Sequence, residues 1–171
     1  MQKPENKSAD KLVEMLKDVR SCMFITNPER AGNLAGRPMG INTVEEDGTM
    51  WFFTKKTSGK VDQIESDTSV SIAIANDSEG IYLMINGKAN LSQDRAKMKE
   101  LWNPFVKLWF PDGLEDPDLM LIRVTPTEAD YWDSSSNMMV KMYHAVKAIV
   151  TGTVISEGEY GKIDLESNVT F

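Results

Sequence analysis

A mainly β fold with peripheral helices, built on six or seven antiparallel strands as a small closed or split barrel, is what this sequence predicts. Three observations carry that reading. Short apolar runs rich in β-branched and aromatic residues recur along the chain, polar or glycine-containing turns separate them, and nothing repeats at a fixed period. With 171 residues, 41% hydrophobic and 26% charged, the chain is long enough for one real core and too short for two. One domain over 1–171 is expected, with an N-terminal helix at 8–20, a barrel with inserted helices at 21–155 and an acidic tail at 156–171.

From Ser8, a residue able to cap a helix, Leu12, Met15, Leu16 and Val19 fall at i, i+3, i+4 and i+7 and mark one apolar helix face. Ser21–Thr26 is a short apolar run that stops at Asn27-Pro28 and reads as a buried strand. Pro38–Glu45 and Thr49–Thr54 flank Glu46-Asp47-Gly48, and an Asp-Gly step between two β-rich runs predicts a hairpin. After Thr54 a loop leads to Val61 and Ile64 at helical spacing, so a short helix should begin near Ser58. Val70–Ala75 and Ile81–Ala89 form a second hairpin across the polar turn 76–80. Ser92 is placed as the cap of a helix running through Trp102, which Pro104 interrupts, and the aromatic segment Leu101–Phe110 ends at Pro111-Asp112-Gly113. Leu119–Val124 and Ala129–Asp133 read as two last strands. Val146–Ile155 fits strand or helix, and the segment after Gly158 reads as peripheral.

The formal charge of -7 and sequence pI near 4.8 disfavour nucleic acid and anionic membrane as partners, because both demand a basic footprint. The N-terminus lacks the apolar stretch of a secretory signal and no run of 18 apolar residues occurs, so the chain is expected to be soluble and cytoplasmic. One cysteine, Cys22, and one histidine, His144, cannot supply a disulfide or a His/Cys zinc site. Cys22 lies in Cys22-Met23-Phe24-Ile25 and reads as a small buried hydrophobe, with burial raising its thiol pKa. Catalysis by a side-chain nucleophile is therefore disfavoured, and chemistry would have to come from a cofactor.

The segment Thr54–Lys60 stands out, with three lysines, two threonines and one serine in seven residues and no acid. Hydroxyls, ammoniums and the free N–H groups of a helix start suit a phosphate dianion, and Ser58, Gly59 and Lys60 would sit at that start. Arg37, at the entry to the strand expected to pair with Thr49–Thr54, would join the same anion. The alternative is a solvated basic turn in which Ser58 merely caps the helix, and the pattern is neither a Walker loop nor a G-x-G-x-x-G turn. Two other features are given structural readings. The acidic run Asp112–Asp118 lacks calcium-loop spacing and reads as a solvated loop, while Trp102, Phe105, Trp109 and Phe110 follow helical spacing and read as packing in the core or at a dimer interface.

The ordered set Arg37-Pro38-Met39, Trp51-Phe52-Phe53-Thr54, Ser58-x-Lys60, Val70–Ile74, Gly87-Lys88-Ala89, Trp102-Asn103-Pro104, Phe110–Gly113 with Asp116-Pro117-Asp118, and Tyr131-Trp132-Asp133 resembles the pyridoxamine 5′-phosphate oxidase-like split barrels. The nearest subgroup is the general stress protein 26 type, and the resemblance covers about residues 10 to 155. It implies an FMN-binding split barrel, a homodimer with flavin at the subunit interface, and a flavin-dependent oxidoreductase acting with a small-molecule reductant or substrate. FAD is the alternative cofactor, since it offers a phosphate at the same distance from the ring. A non-catalytic flavin-binding or flavin-sensing stress protein is the alternative role. Carried over by motif, Arg37, Thr54, Ser58, Gly59 and Lys60 match the flavin phosphate site, and Pro38 and Met39 match the strand along the ring, with Phe53 nearby. Tyr82 matches a position that approaches the flavin from the partner subunit, and Trp132 one on the substrate side. Members that oxidise pyridoxamine phosphate carry a C-terminal Arg-x-His motif, whereas His144 here has no arginine near it, so the resemblance reaches cofactor holding and stops short of that activity. Asn42 stands where those oxidases have a lysine.

Overall fold

The computed structural model describes residues 7–27, 33–133 and 159–165. The expected first helix is α1 (Lys7–Leu16), whose Leu12, Met15 and Leu16 are buried against the core together with Val19 just beyond it. The chain then forms β1 (Ser21–Thr26), β2 (Ala35–Gly40), β3 (Thr43–Val44), β4 (Met50–Lys55), α2 (Gly59–Ser66), β5 (Ser69–Asn76) and β6 (Ile81–Ser92). Two short helices, α3 (Arg95–Leu101) and α4 (Pro104–Trp109), and a 3₁₀ turn at Gly113–Glu115 lead to β7 (Leu119–Asp133), and β8 (Glu159–Asp164) closes the described chain.

All strand pairs are antiparallel, in the order β2-β1-β5-β6-β7-β4-β3, with β8 also on β7. The first half of β7 pairs with β4 and the second half with β8, while β6 runs along both. The sheet curls into a half-barrel. Its curl is visible in Phe24 of β1 and Phe52 of β4, which are not sheet neighbours yet meet edge to face with centroids 5.2 Å apart. The row Phe24, Ile72, Ile85, Ala129 and Ile163 runs across five paired strands and is buried throughout. A second cluster, Trp51, Met98, Leu101, Val106, Phe110, Leu119 and Leu121, packs α3 and α4 against the other face of β4 and β7.

The structure corrects several expectations. Only part of the first hairpin forms: Thr43 and Val44 pair with Trp51 and Met50 across a turn in which Gly48 has φ +86°. Residues 35–40 pair with β1 instead, Arg37 facing Phe24. The helix after β6 is capped by Asp94, whose carboxylate accepts from the N–H groups of Ala96 and Lys97; Ser92 only accepts from Asp94 N–H. The two strands read at 119–124 and 129–133 are one. Pro126, in the interval between them, lies opposite Gly87 at a register shift, a position where a residue without an N–H is tolerated in a sheet. A Cβ at Gly87 would lie 2.5 Å from the Thr125 carbonyl, so the close approach demands glycine.

The segment after Gly158, expected to be peripheral, supplies β8, with Ile163 and Leu165 in the core. Asp116, expected in a solvated loop, is buried: it accepts from Asp118 N–H and faces Lys55 at 3.9 Å, while Arg95 donates to its backbone carbonyl. Residues 146–155 lie outside the described residues, as does His144.

Candidate functional site

The feature singled out at Thr54–Lys60 is built where the two ends of the curled sheet meet. Thr26 ends β1, Arg37 lies on edge strand β2, and Thr54 comes from β4 near the opposite edge. Helix α2 spans the gap, with Ser58 in the extended conformation of a capping position and Val61 and Ile64 buried beneath it. Lys60 and Gln63 are three apart and so project from one side of the helix.

Lys60 Nζ donates to Thr54 Oγ1 at 3.0 Å and to Ser58 Oγ at 3.1 Å, and the two hydroxyls are 3.3 Å apart. Arg37 donates through Nη1 to Thr26 Oγ1 and through Nη2 to Gln63 Oε1, both at 2.8 Å. Thr26 Oγ1 is also 2.5 Å from Gln63 Oε1. Thr26 and Thr54 are buried. Among the described residues neither cation has a carboxylate partner. Burial, and secondly the charge of Arg37, holds the Lys60 pKa below its ordinary value, and burial also lowers that of Arg37. A Cβ at Gly59 would meet nothing within 4 Å, so the helix start is open beside these groups.

Two half-buried cations repel each other here and, among the described residues, are satisfied only by neutral oxygens. Such an arrangement is poised for an anion, because a dianion would neutralise both and accept from the N–H groups of the helix start. The donor set fits a phosphate ester.

Arg37, Thr54, Ser58 and Lys60 thus come together around Gly59, and Arg37 arrives by way of β1 and α2, not through the hairpin expected to carry it. Thr26 and Gln63 were missed. For Gln63 the signal was its spacing from Lys60; for Thr26 nothing in the local sequence marked it. Pro38 and Met39 follow Arg37 on β2, and alternation turns Met39 toward the core and leaves Pro38 exposed. Phe53 points to the face of β4 opposite Thr54, in contact with Trp102 and Phe110 at centroid distances of 5.7 and 6.3 Å. Tyr82 and Trp132 face each other across β6 and β7 on the outer face of the sheet, away from the cluster. Tyr160 extends that row, with its ring 5.2 Å from Trp132, and the three side chains are 40%, 48% and 62% exposed.

Asn42 is occupied elsewhere. It donates to the Leu101 carbonyl and accepts from Asn103 Nδ2, tying the β2–β3 link to the α3–α4 joint. Of the aromatic cluster expected in the core or at a dimer interface, Phe110 is buried and Trp102 half-buried in this chain, while Phe105 and Trp109 are 78% and 79% exposed. Cys22 is buried as expected, its thiol pushed up to about 12 by desolvation. No helix among the described residues is long and apolar enough to cross a membrane.

The curled half-barrel accords with the folds of known proteins. The family described as "Pyridoxamine 5'-phosphate oxidase like" matches residues 7–156. The chain belongs to that family. Protein bli-3 of Neurospora crassa is 28% identical over 158 residues, covering 87% of this chain and 76% of that protein. A candidate general stress protein 26 from Jannaschia sp. CCS1 superposes with a TM-score of 0.74 at 26% identity, over 90% of this chain and 96% of its own. The general stress FMN/FAD binding protein of Xanthomonas citri is 28% identical, with a TM-score of 0.65 over 77% of this chain and 92% of its own. The fold is that of the FMN-binding split-barrel proteins.

Proposed function

We propose that this family member binds FMN through its phosphate at Arg37, Thr54, Ser58, Gly59 and Lys60, and acts as a flavin-dependent oxidoreductase. The observation that carries the reading is a pair of cations, Arg37 and Lys60, whose hydrogen-bond partners among the described residues are all uncharged oxygens. The name of the Xanthomonas citri relative, an FMN/FAD binding protein, supports the same ligand class. When bound, the flavin supplies hydride or electron transfer, and the chain supplies orientation and electrostatics. Lys60 and Arg37 fix the phosphate end. Met39 and Pro38 continue along β2 from that end and are the chain's own candidates to border the ring.

Tyr82 and Trp132 face away from Arg37, so a contribution from them requires a second copy. The outer face of the sheet supports a homodimer: Met23, Met84, Tyr82, Trp132 and Tyr160 leave exposed apolar surface across it. A flavin-loaded monomer in sedimentation would overturn this part of the reading.

Titration of the purified protein with FMN, followed by flavin fluorescence and absorbance, tests the binding. The expected result is micromolar or tighter affinity and a thermal stabilisation of about 2.7 kcal/mol at about 100 times Kd. No binding at micromolar FMN overturns it. The second reading, a flavin-binding or flavin-sensing protein without turnover, is favoured by the lack of any acid, histidine or thiol in the cluster among the described residues. Anaerobic mixing with NADH and NADPH separates the two: reduction of the bound flavin supports the enzyme, and no reduction by either nucleotide supports the binding role.

A further inference from the structure

Arg37 lies on an edge strand, half-buried and next to another cation, so something must hold it there. A carboxylate would do so most strongly, and would also neutralise it. The structure uses an amide and a hydroxyl. Gln63 Oε1 accepts from Arg37 Nη2 and lies at hydrogen-bond distance from Thr26 Oγ1, while Thr26 Oγ1 accepts from Arg37 Nη1. These three groups close a ring of hydrogen bonds. Only two of the five guanidinium N–H groups are used in it, and the others have no partner among the described residues. The nearest acids on α2 are turned away: Asp62 and Glu65 are exposed on other faces of the helix.

We infer that Gln63, with Thr26, is the positioning residue that fixes the Arg37 guanidinium without neutralising it, and so sets the selectivity of this site for a phosphorylated over an unphosphorylated flavin. The inference rests on the phosphate reading given above. An amide is the side chain that meets both requirements: it accepts strongly enough to orient a guanidinium, and it brings no charge to compete with the phosphate. Glutamate has nearly the same shape and fails the second requirement. Methionine has nearly the same length and fails the first.

The test compares FMN with riboflavin, which differ in the phosphate, on the unsubstituted protein, Gln63→Glu and Gln63→Met, with thermal melts confirming that each variant folds. Gln63→Glu is expected to weaken FMN at least tenfold and to change riboflavin less than twofold. Gln63→Met should weaken FMN several-fold, again sparing riboflavin. An FMN-to-riboflavin affinity ratio in Gln63→Glu within twofold of the unsubstituted protein overturns the inference, and so does equal weakening of both ligands, which would mark a merely structural role. If the unsubstituted protein itself binds riboflavin as tightly as FMN, the phosphate reading fails and this inference with it. That failure is distinct because it needs no variant to be seen.

Discussion

Two lysines of this molecule, one on α2 and one on β8, show how the same side chain is built into different roles. Lys162, on β8, donates to Glu128 Oε2 at 2.7 Å, and that hydrogen bond, with the carboxylate's charge, raises its pKa. Lys60, at the start of α2, donates to two hydroxyls, and burial beside Arg37 lowers its pKa. The first is a completed ion pair at the sheet edge. The second is a cation whose counter-charge is not supplied by the described residues. The lesson is that charge alone does not mark a site: a lysine matched by an acid maintains the fold, whereas one surrounded by neutral acceptors pays a cost that an anion can remove.

The largest expected effect separates the two directly. Lys60→Ala should weaken FMN by about 1.5–3 kcal/mol, the scale of a charge-assisted hydrogen bond. Lys162→Ala should leave FMN affinity unchanged in the same fluorescence titration, and equal losses would erase the distinction. Thr54→Val comes next. It removes an acceptor from Lys60 while keeping the shape of a buried side chain, and should cost about 0.5–1.5 kcal/mol of FMN affinity.

The smaller effects concern stability without ligand and have opposite signs. The folded-state pKa of Lys60 lies below its ordinary 10.5, so the cost of charging it is fully present below the folded value and disappears as pH rises through that value toward 10.5. Lys60→Met, which keeps the apolar stem, should therefore raise the melting temperature of the flavin-free protein at pH 7.5. The gain should shrink as pH approaches 10.5. For Lys162 the folded pKa is raised above 10.5, so its stabilising contribution is complete below 10.5 and is lost as pH rises through the folded value. Lys162→Met should lower the melting temperature at pH 7.5, by the smallest change of the set because the pair is exposed. Melting curves collected from pH 7 to 11 read both; a loss of flavin-free stability in Lys60→Met would contradict the picture of an uncompensated cation.

Much of this was legible in the sequence. The apolar spacing in 12–19, the runs at 21–26 and 81–89, and the Asp47-Gly48 turn predicted elements that the structure contains, because helix and strand periodicity and turn chemistry are local. The unusual composition of Thr54–Lys60 likewise marked the helix start that carries Lys60. That β7 runs on through Pro126 was not legible, because it depends on the register shift opposite Gly87, which is remote in sequence. Residues 159–164 misled because the strand that accepts them, β7, is remote in sequence.

The segment from Thr54 to Lys60 by itself determined that a lysine and two hydroxyls would gather at a helix start, since the chain reverses there within a few residues. Which strand Arg37 joins, that Gln63 and Thr26 hold it, and that Phe53 turns away were decided only by the tertiary structure. The physical reason is that strand pairing and sheet curl are long-range: Arg37 and Thr54 belong to strands near opposite edges of the sheet, and only its closure around Phe24 and Phe52 brings them to one end of α2.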